Sequence, residues 1–196
     1  VHGHEQRPHH LQLLAVPSQP DWHAATGLTS VKVDKKGFGL YQAAHYDELV
    51  DCPVELGAFW SGSFVACGIP HRFVVAGALP SFDGDRLLAD TQKICEAEIR
   101  FWHGKGSQAG GKAPHKNYLF MLNAVHDGYG GLEHKNSTAL ICNRRDLPRQ
   151  ALTTSGQSTG MKNRAATTNK TAAQQTTAHR TINAFSLGPV ELTMAK

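Results

Sequence analysis

A glycine-rich segment between two apolar runs constrains the fold of this chain more than any other feature. Residues 118–122 precede the segment and residues 138–142 follow it, and both runs are short and almost entirely apolar. Apolar runs of this length with glycine nearby predict two buried β-strands. The segment between them, centred on residues 130–134, is expected to be a loop held by both strands.

An acidic residue, Glu133, follows the glycines of this segment. Gly128, Gly130 and Gly131 permit a positive φ or a very close approach of the backbone to a ligand. A carboxylate in such a place suits the binding of a small cationic group. The alternative is a tight hairpin in which Glu133 and His134 are only solvated.

The chain outside this segment predicts a mainly β protein of the α+β class. A half-buried strand is expected within residues 9–16, and residues 22–28 are expected to be a connecting stretch. Residues 59–67 and 71–77 are rich in Phe and Val and predict two further strands. Short strands separated by Gly and Pro indicate a β-sandwich-like amino-terminal domain over residues 1–80.

The next predicted unit, residues 81–149, begins with the most regular helical period in the chain. The positions that repeat are Leu87, Thr91, Ile94, Cys95, Glu98, Ile99 and Trp102. Asp83 or Asp85 suits the amino-terminal cap of this helix, and Gly104 suits its carboxyl-terminal cap. Residues 104–116 predict a linker, because their GxxxxGK pattern lacks the Ser or Thr and the preceding strand that a phosphate site needs.

Residues 150–196 differ sharply from the rest in composition. They are dominated by Thr, Ala, Gln and Asn without a sustained period, which predicts a low-complexity, disordered tail. The tail holds five basic residues and one acidic residue, whereas residues 1–149 carry equal numbers of both, so the net charge of +4 lies in the tail. A basic excess of this kind predicts no nucleic-acid partner. The absence of an apolar stretch of ~20 residues predicts no membrane partner.

The four cysteines are far apart in the sequence and form no CxxC pair: Cys52, Cys67, Cys95 and Cys142. Cys67 and Cys142 follow apolar residues. Isolated cysteines of this kind are more often small buried side chains than metal ligands or disulfide partners. Reduced thiols favour a cytoplasmic localisation.

Three separated motifs carry a family resemblance. They are Trp22 with the following residues 25–28 (ATGL), residues 46–57 (YDELVDCPVELG) and residues 130–137 (GGLEHKNS). Together they resemble the M61 glycyl aminopeptidase family of zinc metallopeptidases, with Cys52 at a position where a small residue such as Ser is more usual. The resemblance covers residues 1–149. It implies an amino-terminal β-domain, then a helix and the first strands of a thermolysin-like catalytic domain.

The resemblance also implies an aminopeptidase that removes amino-terminal Gly or Ala from peptides with one zinc ion. Glu133 would bind the free α-amino group at the peptide amino terminus, and Gly130 and Gly131 would lie beside the substrate. In the family a helix with His-Glu-x-x-His binds the zinc, and this sequence lacks that motif. The chain is therefore expected to be an inactive fragment that binds no metal, with His134 in a structural role. The alternative is a non-catalytic β-sandwich module that binds peptides.

Two remaining features have simple interpretations. The amino-terminal histidines His2, His4, His9 and His10 lack acidic or cysteine partners at fixed spacing, so they predict solvated side chains rather than a zinc site. The change in composition after residue 149 suggests the hypothesis that the tail is a frame-shifted continuation of the catalytic domain. Translating the coding DNA in its other two frames tests this, because one frame should then encode the missing zinc helix.

Overall fold

The computed structural model describes residues 2–104 and 113–150, which form ten strands and two helices. The helices are α1 (Tyr46–Val50) and α2 (Gly84–His103). The strands are β1 (His9–Leu13), β2 (His23–Thr26), β3 (Thr29–Val33), β4 (Gly39–Ala43), β5 (Val54–Gly57), β6 (Phe59–Ala66), β7 (Ile69–Ala76), β8 (Tyr118–Val125), β9 (Gly130–Glu133) and β10 (Ser137–Asn143). This mainly β composition with one long helix confirms the predicted fold class. The predicted tail and most of the predicted linker lie outside the described residues.

Two small antiparallel sheets form the amino-terminal part of the structure. In one sheet β4 lies between β1 and β3, and in the other β2 pairs with β5. Their buried side chains form one apolar cluster: Leu13, Ala24, Leu28, Phe38, Tyr41, Ala43 and Cys52. The expectation that residues 22–28 only connect other elements is wrong. His23–Thr26 is a strand because it pairs with Val54–Gly57, a partner too distant in the sequence for a local pattern to reveal.

A five-stranded mixed sheet forms the larger part of the fold, in the order β6-β7-β8-β10-β9. β6 and β7 form an antiparallel hairpin, β8 is parallel to both β7 and β10, and β9 is antiparallel to β10. The helix α2 connects β7 to β8, as expected for parallel neighbours, which need a long crossover. All four strands predicted around the helix and the glycine-rich segment are confirmed.

The five-stranded sheet is covered on both faces over its central strands. On one face Phe73, Val75 and Leu122 form a cluster with partly buried residues of α2. On the other face Ala25 of β2 packs with the inner strands. Because β7 and β8 are neighbours, the boundary predicted at residue 80 falls between two strands that pair with each other.

The long helix α2 has the predicted caps but is packed along only part of its length. Asp83 Oδ1 accepts a hydrogen bond from the Arg86 backbone N–H at 3.0 Å, and the Gly104 N–H donates to the Arg100 carbonyl at 3.0 Å. Apolar residues in its second half are exposed, with Phe101 at 73%. Neither helix of the described residues combines the length and the apolar character needed to cross a membrane.

The turn between β6 and β7 corrects the expectation for Cys67. Cys67 and Gly68 both have left-handed backbones, with φ of 48° and 80°, and they form the two-residue loop of the hairpin. This geometry is a type I′ turn, which faces solvent. Cys67 is therefore exposed rather than buried, whereas Cys52 is buried as expected.

Candidate functional site

The glycine-rich segment is an edge strand rather than the loop expected from the sequence. β9 pairs with β10 from Gly130 opposite Ile141 to Glu133 opposite Thr138. β9 is the last strand in the sheet order, so its other side has no strand partner within the described residues. The segment is a strand because it forms a hairpin with β10. Its residues, GGLE, lack the apolar alternation by which a sequence predicts a strand.

The hydrogen bonding of this hairpin determines which backbone groups face the open edge. The His134 N–H donates to the Ser137 carbonyl at 2.8 Å across a two-residue turn. In an antiparallel pair, residues that bond to the partner alternate with residues that point away from it. Leu132 therefore bonds inward to β10. The N–H and C=O groups of Gly131 and Glu133 point to the open edge.

The glycines of the segment serve close packing rather than an unusual backbone. None of Gly128, Gly130 and Gly131 has a left-handed φ. A Cβ on Gly131 would lie 2.8 Å from the side chain of Leu140, and one on Gly128 would lie 2.8 Å from that of Val125. The positive φ expected for these glycines is therefore absent, and Gly128 and Gly131 instead make room for neighbouring side chains of the sheet.

Glu133 is exposed at the end of a row of side chains on the face of the sheet that α2 covers. It pairs with Thr138, which pairs in turn with Phe120 of β8, and paired residues project to the same face. Phe120 stacks on Phe73 with ring centroids 5.0 Å apart. The carboxylate thus stands at the open end of a row that leads through Thr138 to stacked aromatic rings.

Tyr118 contributes a polar group beside this carboxylate. Its hydroxyl donates a hydrogen bond to the Ser137 carbonyl at 3.0 Å. Burial raises the pKa of Tyr118, and the negative charge of Glu133 raises it further. No cationic side chain in the described part of the chain forms an ion pair with Glu133.

Asp51 connects the amino-terminal part of the fold to the turn that follows Glu133. Asp51 Oδ1 lies 3.1 Å from His134 Nδ1, and Asp51 Oδ2 accepts the Lys135 backbone N–H at 3.0 Å. Asp51 is itself held as the carboxyl-terminal cap of α1, where its N–H donates to the Asp47 carbonyl at 3.0 Å. His134 thus orients its neighbours by hydrogen bonding, in agreement with its expected structural role.

Asn136 forms a second set of bonds across the same junction. Its Nδ2 donates to the Gly27 carbonyl at 2.8 Å, and its Oδ1 lies 3.7 Å from Cys52 Sγ. A Cβ on Gly27 would lie only 2.5 Å from Asn136 Oδ1, so a larger residue here would displace the Asn136 side chain. We refer to Gly27, Asp51 and Cys52, together with residues 134–136, as the clasp.

Sequence reasoning gave no role to the bonds of the clasp. The signal was nevertheless present, because the clasp joins the three motifs that carry the family resemblance: Gly27 lies in the first, Asp51 and Cys52 in the second, and Asn136 in the third. Motifs that are distant in sequence and meet in space are expected where they hold one site together.

The described residues do not offer a zinc site. Within residues 2–104 and 113–150, no group of three or more His, Cys, Asp or Glu side chains is arranged to hold a metal ion. His134 Nδ1 is occupied by Asp51. In the amino-terminal tract, His2 lies 3.7 Å from Glu5 and the ring of His9 contacts that of Tyr46. No chemical step can therefore be assigned to a metal held by these residues.

Comparison with known proteins supports the family resemblance. Residues 1–58 match the family model of the peptidase M61 N-terminal domain. The crystal structure of an aminopeptidase N family protein from Idiomarina loihiensis is 37% identical, with a TM-score of 0.68 over 75% of this chain. The match covers 24% of that protein, so the chain spans about a quarter of its length.

More distant structures add no further information. A two-domain M1 zinc metallopeptidase bound to L-arginine is 13% identical, with a TM-score of 0.39 over 63% of this chain and 28% of that protein. No curated protein matches the chain. The family-model match and the 37% identical structure nevertheless agree with the resemblance carried by the three motifs. Residues 1–58 therefore carry the N-terminal domain of the M61 peptidase family.

Proposed function

We propose that this chain is part of a zinc-dependent aminopeptidase and that Glu133 binds the free α-amino group of its peptide substrate. The observation that carries the proposal is a carboxylate without an ion-pair partner in the described residues, on an edge strand whose outer side is open. Membership of a peptidase family, and the aminopeptidase N family name of the similar protein, support the same assignment.

Two physical interactions account for recognition of the substrate. An extended peptide can add to an open sheet edge through its main chain, and the outward groups of Gly131 and Glu133 are available for this. The ammonium group at the peptide amino terminus can then form a charge-assisted hydrogen bond with the Glu133 carboxylate. Such a bond contributes about 1.5–3 kcal/mol. The site thereby selects free amino termini over blocked ones.

The catalytic zinc is assigned to a part of the protein outside the described residues. In the proposed intact enzyme, zinc would activate the water that attacks the peptide bond. The sequence contains no His-Glu-x-x-His motif, so we expect this chain alone to bind substrate without hydrolysing it. A preference for amino-terminal Gly or Ala is part of the proposal. The four unpaired cysteines support a cytoplasmic setting.

A titration with matched peptides tests the role of Glu133. We expect a glycine-initiated tripeptide with a free amino group to bind at least about tenfold more tightly than its N-acetylated form, since the charge-assisted bond is worth about 1.4 kcal/mol or more. In Glu133→Gln the preference should disappear, while Glu98→Gln on the exposed side of α2 should keep it. Equal affinity for both peptides in the unmodified chain would refute the assignment.

The second candidate, a non-catalytic module that binds peptides, rests on the same carboxylate and makes the same binding prediction. Zinc content after dialysis and hydrolysis of glycyl-p-nitroanilide by the longest available form of the protein separate the two. Stoichiometric zinc with turnover supports the aminopeptidase. Tight peptide binding without stoichiometric zinc and without turnover supports the non-catalytic peptide-binding module.

A further inference from the structure

The clasp lies next to the proposed substrate site, at the turn that follows Glu133. We propose that Asp51 and Asn136 are positioning residues, which hold β9 so that Glu133 and the outward backbone groups stay in place for the peptide. The inference rests on the proposed function, and it assigns the amino-terminal sheets a role in substrate binding.

The first argument is that β9 has little else to hold it. It has four residues, three of them exposed, and it pairs on one side only. Short, singly paired edge strands with few buried contacts open locally at low cost in free energy. Glu133 is the last residue of β9, so fraying from the turn would move its carboxylate first.

The second argument is that the clasp acts on the residues that would prevent this fraying. Asp51 bonds to His134 and to the backbone N–H of Lys135, the two residues directly after Glu133. Asn136, the next residue, bonds to the Gly27 carbonyl. Three consecutive residues of the turn are thus each fixed to the amino-terminal part of the fold.

The third argument is that the anchor points lie in or beside packed parts of the amino-terminal fold. Asp51 caps α1, and the neighbouring Cys52 is buried in the apolar cluster of the amino-terminal sheets. A Cβ on Gly27 would displace the Asn136 side chain from its bond to the Gly27 carbonyl. The bonds at Lys135 and Asn136 therefore restrict the motion of the turn relative to the amino-terminal sheets.

Amide hydrogen exchange in the full chain tests the positioning role independently of any ligand. Asp51→Asn keeps the size of the side chain and removes its charge, and Asn136→Ala removes the second anchor. In both variants we expect the amides of Leu132 and Lys135 to exchange at least about tenfold faster, while that of Val74 in the sheet centre changes less than about twofold. Asp90→Asn, on the exposed side of α2, is the control and should change none of them.

Peptide selectivity is the functional readout. The preference for a free over an acetylated glycine-initiated tripeptide should fall about tenfold in Asp51→Asn and in Asn136→Ala, as expected when a charge-assisted bond is lost. Unchanged exchange at β9, exchange that rises equally at Val74, or an unchanged preference despite faster exchange at β9 would each overturn the positioning role. A chain that lacks the preference before any substitution would refute the proposed function instead, and the exchange data would still decide whether the clasp holds β9.

Discussion

Cys52 shows how one side chain of the clasp takes part in its hydrogen bonds. Burial raises the pKa of the Cys52 thiol to about 11, and the nearby carboxylates of Asp51 and Glu48 contribute to the shift. The thiol is therefore protonated at neutral pH and can donate to Asn136 Oδ1. A serine hydroxyl at this position could donate in the same direction.

Among the described residues, Cys67 is the one non-glycine residue with a left-handed backbone, at a φ of 48°. A non-glycine residue in the left-handed region costs roughly 1–2 kcal/mol, and asparagine tolerates this region best. We expect Cys67→Asn to stabilise the fold by up to about 1 kcal/mol, because it places the favoured Asn-Gly pair in the type I′ turn. Cys67→Val should destabilise it, since β-branched residues fit this region poorly. Urea unfolding of both variants measures the effect, and equal stability would contradict the turn assignment.

Glu55 makes folding sensitive to pH. It lies on β5 opposite Ala25, and burial raises the pKa of its carboxyl above the ordinary value. The ionised form is therefore disfavoured in the fold. The loss of folding free energy caused by the buried charge is absent below the unfolded-state pKa of about 4.3. It is fully present above the folded-state pKa, so stability falls as pH rises between the two.

The matching variant is Glu55→Gln. We expect it to unfold at higher urea concentration than the unmodified chain at pH 7, with the difference disappearing below about pH 4. An advantage of the same size at both pH values would show that the carboxyl charge is not its cause.

At the scale of elements, α2 is a helix with two different halves. Its first half packs on β6, where the ring of Trp60 leaves no room for a side chain at Gly84, the first residue of α2, or at Gly62. The Trp60 ring also packs against Phe82, just before the helix, with ring centroids 5.2 Å apart. Its second half leaves Trp102 62% exposed. The helical period alone predicts the helix, but it does not reveal how far along the helix the sheet extends.

Two matched substitutions test this asymmetry. Trp60→Ala removes a large packed ring and should lower the free energy of unfolding by about 2–4 kcal/mol. Trp102→Ala removes an exposed ring and should change it by less than about 0.5 kcal/mol. Differential scanning calorimetry of the two variants gives the comparison directly. Equal losses would mean that the second half of α2 is packed as firmly as the first.

At the scale of the whole molecule, the sequence predicts those strands and helices that have a recognisable pattern within a short stretch of residues. The apolar runs predict β6, β7, β8 and β10, and the period and caps predict α2. β2, β3, β4, β5 and β9 are not predicted. Of these, β2 and β9 are each short and become strands only through a distant or glycine-rich pairing. The contact between Asp51 and His134 spans 83 positions, so no local pattern contains it, although both residues lie in motifs that the sequence identifies.

The central claim is that a peptide amino terminus docks against the open edge of β9, beside Glu133. Backbone amide chemical shifts of the chain, recorded by NMR during titration with a glycine-initiated tripeptide, test it most directly. The account predicts that the outward amides of Gly131 and Glu133 shift most, and that the N-acetylated tripeptide shifts them much less at the same concentration. Equal responses to both peptides, or shifts that leave β9 unchanged, would contradict it.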